Sequence, residues 1–374
     1  RKDCPPILYN KVKASDNPTP QPNSWHEEKN RGFQLQYAKS IGKHDVIANV
    51  TYDKAKNYAF RVNPATGEKR SSSVERETVR TYVQDKIHLT DKWDLTPSLR
   101  YSHYNDYKES TGGNSAGNTN DFNYSLNTEY MFNDKVGMYL GWTKVFRPLR
   151  QGDYTTTDYV FNAPLKDEEG NVYTFGIHYD ISDRTTVALH YDWTKMKNAI
   201  ATLPVLDPNS GDFLSTPINA KEDKQSINLT LDHQLNKHVT LSASYSHMKD
   251  KWKSKDGWTL GPESGWDPDD INTGINHLRP QNHYALNVSY ENARFYTGLL
   301  LNYYTGCSGL AFTDNRFLIL DWNANYEFAN GITVYVTVGN LTNESYETSY
   351  NSWNGLGSSA MPGRYFMVGT KHKF

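Results

Sequence analysis

Apolar and polar residues alternate along most of this chain with a period of two. Tyr173, Phe175, Ile177 and Tyr179 interleave with Thr174, Gly176, His178 and Asp180. Val187, Leu189, Tyr191 and Trp193 interleave with Ala188, His190 and Asp192, and Ile332, Val334, Val336 and Val338 with Thr333, Tyr335 and Thr337. Side chains of a strand point to opposite faces in turn, so each segment reads as a strand with one greasy and one hydrophilic face. A soluble sandwich also alternates. Here the polar face carries Asn, Thr, Ser, Gly and His, and the apolar face is rich in Tyr, Trp and Phe. That pairing predicts an all-β, antiparallel transmembrane β-barrel with a wet lumen and aromatic girdles.

The pattern predicts about fifteen strands, near 32–40, 44–60, 74–90, 93–107, 121–133, 136–146, 171–182, 184–200, 219–235, 238–250, 280–291, 294–306, 314–328, 332–342 and 363–374. Their connections sort by length. Ile41–Lys43, Thr90–Lys92, Asn133–Lys135, Ser182–Arg184, Asn236–His238, Glu291–Ala293 and Asn330–Gly331 are tight and carry the Asn, Asp and Gly of hairpin turns. The others, at 61–73, 108–120, 147–168, 203–217, 251–279, 307–313 and 344–361, are long. Short turns on one rim and long loops on the other is the asymmetry of outer-membrane barrels. Residues 1–30, with Pro5, Pro6, Pro18, Pro20 and Pro22, read as one more outer loop, so 1–374 is expected to be one partial barrel domain. A sandwich would have to bury the polar strand faces in a dry core, where unpaired Asn and Thr are costly.

Composition narrows this further. The mean hydropathy is -0.77 and 37% of residues are hydrophobic, and no run approaches the ~20 apolar residues of a membrane helix. The 374 residues include 27 Tyr, 9 Trp and 14 Phe. A net charge of -2 implies no attraction to nucleic acid. Two cysteines, Cys4 and Cys307, cannot form a disulfide framework, although one bridge between them stays open. The chain begins at Arg1 without a leader pattern, which reads as a truncated or processed start. Bacterial barrels close with an even number of strands, so an odd set that both starts and ends running downward is expected to be part of a larger wall.

Two blocks of sequence resemble a known family. Val338-Gly339-Asn340-Leu341-Thr342-Asn343-Glu344-Ser345-Tyr346, then Pro362-Gly363-Arg364-Tyr365-Phe366 and a final Phe374, resemble the end of TonB-dependent outer-membrane receptors. Phe146-Arg147-Pro148, Asn162-Ala163-Pro164-Leu165-Lys166-Asp167-Glu168, Asp183-Arg184 and Lys197-Asn198-Ala199-Ile200 are similar to a second run of the family's motifs, with the proline of its Asn-Pro-x-Leu displaced. The resemblance spans about residues 140–374; residues 1–139 agree by pattern only. It implies roughly the last fifteen strands of a roughly 22-stranded, plugged barrel, with the plug and the segment touching the energising TonB complex absent. It also implies uptake of a ferric siderophore or similar chelate, no enzymatic activity and no cofactor. A haem or cobalamin receptor of the same family, or an ungated porin, are the alternatives.

Candidate sites follow from that resemblance. Phe366, Val368, His372 and Phe374 would form the C-terminal signal read by the barrel-assembly machinery, and the remaining outward residues would contact outer-membrane lipid. Trp258, Trp266, Tyr303, Tyr304 and Trp353, with Trp252, fall on loops or strand tops, where aromatics with a polar tip suit a bulky chelate. An interfacial girdle would place Tyr and Trp at the same height. Leu149–Phe161 contains no His, which counts against haem, though His26, His247 and His277 lie in other loops. His178, His190, Asp180 and Asp192 fit a metal site on paper but suit a wet lumen equally. Asp267, Asp269, Asp270 and Asn272 resemble a calcium loop interrupted by Ile271, and read as a solvated turn. No nucleophile–base pair, phosphate loop or zinc spacing is present.

Overall fold

The computed structural model describes residues 23–63, 66–110, 117–149, 165–206, 213–253, 280–307, 312, 314–350 and 358–372. Among them every regular element is a strand. In chain order these are β1 (Asn23–Ile41), β2 (His44–Val62), β3 (Lys69–Thr90), β4 (Trp93–Tyr104), β5 (Lys108–Glu109), β6 (Thr119–Asn133), β7 (Val136–Arg147), β8 (Glu168–Ser182) and β9 (Thr185–Leu206). There follow β10 (Phe213–Gln234), β11 (Val239–Lys253), β12 (Asn282–Glu291), β13 (Phe295–Thr305), β14 (Arg316–Glu327) and β15 (Ile332–Gly339). Last come the short β16 (Glu347–Tyr350) and β17 (Ser358–Ala360), and β18 (Tyr365–His372). Fifteen of them form one antiparallel wall in sequence order, from β1 through β15 to β18, leaving β5 as a short addition to β3 and β16–β17 as a separate ribbon.

The register carries one apolar face around the whole wall. Leu35 pairs with Val50, Val83 with Leu99, Leu140 with Phe175, Ile177 with Leu189, Leu189 with Leu229, Leu301 with Leu320, and Val336 with Val368. Val83, Leu99, Leu140 and Leu229, on strands paired on both sides, remain 44%, 43%, 44% and 43% exposed, so this face is solvated by something other than protein. In water such a belt would be untenable; in lipid it is the surface a spanning wall needs. Aromatic residues border it above and below. On β8 Tyr173 and Tyr179, on β12 Tyr284 and Tyr290, and on β6 Tyr124 and Tyr130 each bracket two residues of the belt. Six residues amount to about 20 Å of strand. Neighbouring rings join laterally, as in Tyr173–Trp193 (5.6 Å) and Tyr245–Tyr284 (4.8 Å) on the upper line and Trp93–Tyr130 (6.5 Å) and Tyr290–Phe295 (6.1 Å) on the lower.

The tight turns share one local device. The side chains of Thr90, Asn133, Ser182, Asn236, Asn292 and Asn330 each accept a hydrogen bond from a backbone N–H two residues on, and three of the Asn also bond the next one. At the end of the wall, Tyr335 lies over Gly369 and Tyr365 over Gly339 across the β15–β18 pair. A Cβ on either glycine would enter the ring, so the pair locks register by filling a missing side chain.

Strand bodies fall where the alternation predicts, and strand ends do not. β1 starts at Asn23, not 32, and its first residues pair with the upper part of β2 instead of looping. β9 and β10 likewise run on to Leu206 and back from Phe213 through the expected loop 203–217. Above the lipid neither face needs to be apolar. There the outward side carries Lys54, which is bonded to Glu75 at 2.6 Å and Glu77 at 2.9 Å, and the period-two signal disappears while the backbone pairing persists.

Candidate ligand-binding wall of the lumen

The polar face of the wall lines the lumen, and its character changes with height. Near the tight-turn rim it is a hydrogen-bonded ionic lattice. His88 bridges Asp45 (2.9 Å) and Asp94 (2.7 Å), and Lys86 reaches Asp94 at 2.8 Å. Higher up, the Tyr139 hydroxyl joins His190 Nδ1, and His190 Nε2 meets Asp192 at 2.6 Å. His178 instead covers Gly137. His178, His190, Asp180 and Asp192 therefore do not converge, and among the described residues no group of three or more His, Cys, Asp or Glu is placed to hold a metal.

Toward the long-loop rim the lumen wall becomes aromatic. The register sets His283, Tyr304 and Phe317 side by side on β12, β13 and β14, and Tyr346 follows from the segment after β15. His283 stacks on Tyr304 at 4.3 Å, Tyr304 on Phe317 at 4.7 Å, and Phe317 on Tyr346 at 5.3 Å. Cys307, Phe312 and Phe317 form the buried backing of this stack, with Ile319 against it. Burial and Glu347 push the Cys307 thiol up to about 11. Burial and the nearby Asp321 also raise the Tyr346 hydroxyl.

Two loop clamps hold this rim. Asn340, 2% exposed and left-handed (φ 49°), donates to the Glu344 carbonyl at 2.8 Å and accepts from the Glu344 N–H at 2.8 Å, while its own N–H donates to Asp321 at 2.8 Å. Asn343, also left-handed (φ 58°), accepts from the Arg364 N–H at 2.8 Å. Asn340-Leu341-Thr342-Asn343 thus ties β15 to β18 through their loop. The second clamp centres on Asn219, 1% exposed, which exchanges hydrogen bonds with Lys166 (2.7 and 2.9 Å) and donates to the Asn198 carbonyl. Asp167 accepts from the Leu149 N–H and the Thr119 hydroxyl, and Glu168 from the Ile200 N–H while pairing with Arg147. Beside this clamp, burial and Asp250 push the Glu222 carboxyl up to about 7. Across the lumen-facing side of β3 and β4, Arg76 lies between the rings of Tyr104 (5.1 Å) and Tyr107 (4.4 Å).

A family model described as the β-barrel of TonB-dependent receptor-like proteins matches residues 8–341. The chain belongs to that family. It is accordingly a β-barrel protein of the bacterial outer membrane, and its tight turns lie on the periplasmic rim. An uncharacterised TonB-dependent receptor of Haemophilus influenzae is 23% identical over 181 residues, which is 47% of this chain and 49% of that protein. The fold is shared with the pyoverdine outer-membrane receptor of Pseudomonas aeruginosa (TM-score 0.72, 14% identity, covering 94% of this chain and 54% of that one). It is also shared with the ferric yersiniabactin uptake receptor of Yersinia pestis (0.67, 17%, covering 93% and 54%) and with a copper transporter, OprC (0.72, 13%, covering 94% and 57%). The chain spans about half the length of these relatives.

Within this TonB-dependent receptor barrel the expected ligand residues separate. Tyr304 is in the lumen stack. Tyr303 faces outward and continues the upper girdle with Tyr284 at 6.0 Å. Trp258, Trp266 and Trp353 lie outside the described residues, as do Cys4, Phe374 and the Asp267–Asn272 cluster. Cys307 is a free thiol. Phe366 and Val368, both 70% exposed, share the lipid face of β18 with His372 through their pairing to Val338, Val336 and Ile332. Phe317 and Asn219 carry no sequence signal of their own, because each gains its role only from a partner distant in the chain; Tyr346 closes the Val338–Tyr346 block, whose resemblance does not place it in the stack.

Proposed function

We propose that the protein imports a scarce ferric siderophore or similar metal chelate across the outer membrane, drawing energy from the TonB complex. The observation that carries this reading is the stack His283–Tyr304–Phe317–Tyr346, turned to the lumen at the outer rim of a family barrel. His283, Tyr304 and Tyr346 offer flat, polarisable area with hydroxyl and imidazole tips, held over the buried Phe317, which suits a bulky chelate of mixed polarity. The buried Cys307 and Phe312 backing and the Asn340 clamp keep the rings fixed, so little ordering remains to be done on binding. The siderophore receptors among its fold relatives fit the reading.

The test is uptake of a radiolabelled ferric chelate by iron-starved cells carrying the intact gene. Aromatic contacts contribute about 0.5 to 1.5 kcal/mol each beyond area, so Tyr304→Ala should weaken chelate binding roughly 3- to 10-fold, and adding Phe317→Ala should weaken it further. Uptake should vanish when TonB is deleted. Chelate entry that persists without TonB, unsaturable and indifferent to Tyr304, would establish the porin reading instead.

A further inference from the structure

Halfway down the lumen, side chains from two strands that are not neighbours meet across a glycine. Gly176 stands midway between the girdle residues Tyr173 and Tyr179 of β8, and the register sets Tyr139 of β7 on one side of it and His190 of β9 on the other. A Cβ at Gly176 would fall inside the Tyr139 ring. The missing side chain lets that ring lie across β8, so the Tyr139 hydroxyl reaches His190 Nδ1 over a gap of two strand spacings, about 10 Å. The ring centroids are 5.8 Å apart and the planes are inclined by 34°.

The far nitrogen of this imidazole is fixed. His190 Nε2 lies 2.6 Å from Asp192 Oδ2, and the Ser226 hydroxyl donates to the same oxygen at 3.4 Å. A carboxylate at Nε2 keeps the ring proton there and leaves the Nδ1 lone pair directed at Tyr139. Metal-binding histidines are held in this way: a carboxylate on the remote N–H sets the tautomer and raises the basicity of the ligating nitrogen. His88 makes the contrast, with Asp45 on one nitrogen at 2.9 Å and Asp94 on the other at 2.7 Å, so that no lone pair is left to give.

The group is not the one the sequence suggested. Asp180 turns away to accept from the Thr186 hydroxyl at 2.8 Å, His178 covers Gly137, and a phenol takes their place. Tyr139 is 36% exposed and the His190 side chain 37%, so both donors open on the lumen, where solvent can fill the remaining coordination positions. One oxygen and one nitrogen donor with open positions suit a borderline divalent cation, and among the divalent first-row metals such a site holds Cu2+ most tightly.

We propose that Tyr139 and His190 form a binding site for a divalent transition-metal ion on the lumen wall, with Asp192 as the positioning residue behind His190. On binding, the Tyr139 O–H bond breaks and its proton passes to solvent, while Oη and the Nδ1 lone pair each bond to the metal; no electron is transferred. The site is separate from the aromatic stack and stands whether or not the imported ligand is a ferric chelate.

The test is titration of the intact receptor, purified from outer membranes in detergent, with Cu2+, followed by visible absorption. A phenolate bound to Cu2+ gives a ligand-to-metal charge-transfer band, which surface histidines binding the same ion cannot give. The expected result is a band that saturates at one Cu2+ per receptor. Tyr139→Phe, which keeps the ring over Gly176, and His190→Gln should each abolish it. Asp192→Asn should keep the band and move its midpoint to about 10- to 100-fold more Cu2+, and His178→Gln should leave both unchanged. A wild type without the band, or a band that survives in either folded variant of Tyr139 or His190, would overturn the proposal. An Asp192→Asn titration that superimposes on the wild type would overturn the positioning role.

Discussion

At the scale of single residues, Asn340 shows how a short motif becomes a structural part. Its backbone is left-handed and its side chain both donates to and accepts from Glu344. Alanine keeps the Cβ in the left-handed region but loses the local side-chain bonding by which Asn tolerates it, and it gives up about 1 kcal/mol for each lost hydrogen bond. Glycine loses the same hydrogen bonds but has no Cβ to strain there. Limited proteolysis of the loop between β15 and β18 should therefore rank cleavage as Asn340→Ala over Asn340→Gly over wild type; equal rates would show that the clamp does not restrain the loop. Cys307 offers a second reading of the same region. A thiol raised from 9.0 to about 11 holds roughly a hundredfold less thiolate at pH 8 than an unperturbed one. Because burial disfavours the charged form, alkylation should keep accelerating as pH rises through 9 toward 11 instead of levelling near 9. Phe317→Ala, by opening the cover, should restore an ordinary profile. A fast maleimide reaction of the wild type at pH 7 would contradict the packing of the aromatic stack.

At the scale of elements, what the sequence discloses depends on what each face of a strand touches. In the middle of β8, β9 and β15 lipid on one side and water on the other force strict alternation, so Tyr173–Asp180, Val187–Trp193 and Ile332–Val338 announce their strands and their faces. The turns are equally legible, since Asn133, Asn236 and Asn292 supply the acceptor a two-residue link needs. Above the lipid both faces are wet, and the upper halves of β1, β2 and β10 carry no period although they stay paired. The lumen stack was half legible. Tyr303 and Tyr304 are adjacent, and only the register shows that one belongs to the girdle and the other to the ligand wall. The two faces of an element should accordingly respond differently to charge. Leu189, between Ile177 and Leu229, sits in the belt, and Leu189→Arg should cost about 2 to 4 kcal/mol near the midplane. Ser244→Arg, on the lumen face of β11, should cost less than about 1 kcal/mol, in keeping with a substitution that buries no charge. Urea titration of the receptor refolded into lipid vesicles measures both, and equal costs would mean the faces have been assigned the wrong way round.

At the scale of the whole molecule, the belt is continuous from Leu35 on β1 to Val368 on β18, yet those two strands do not pair with each other. Each presents one row of backbone N–H and C=O groups without a strand partner. In hydrocarbon every such group costs several kcal/mol, so no spanning sheet is stable with open edges. In water the same edges template association between copies. Residues 23–372 can therefore serve as a barrel wall only when both edges are satisfied, by further strands or by closure on themselves. The even strand number of bacterial barrels argues for further strands. The polypeptide 1–374 refolded by itself in detergent should consequently give polydisperse assemblies by light scattering and no reproducible conductance in planar bilayers. The receptor purified from outer membranes should be monodisperse and resist urea. A single, repeatable conductance step from 1–374 alone would show that β1 and β18 do meet, and that the lumen lined by the aromatic stack is enclosed by these fifteen strands.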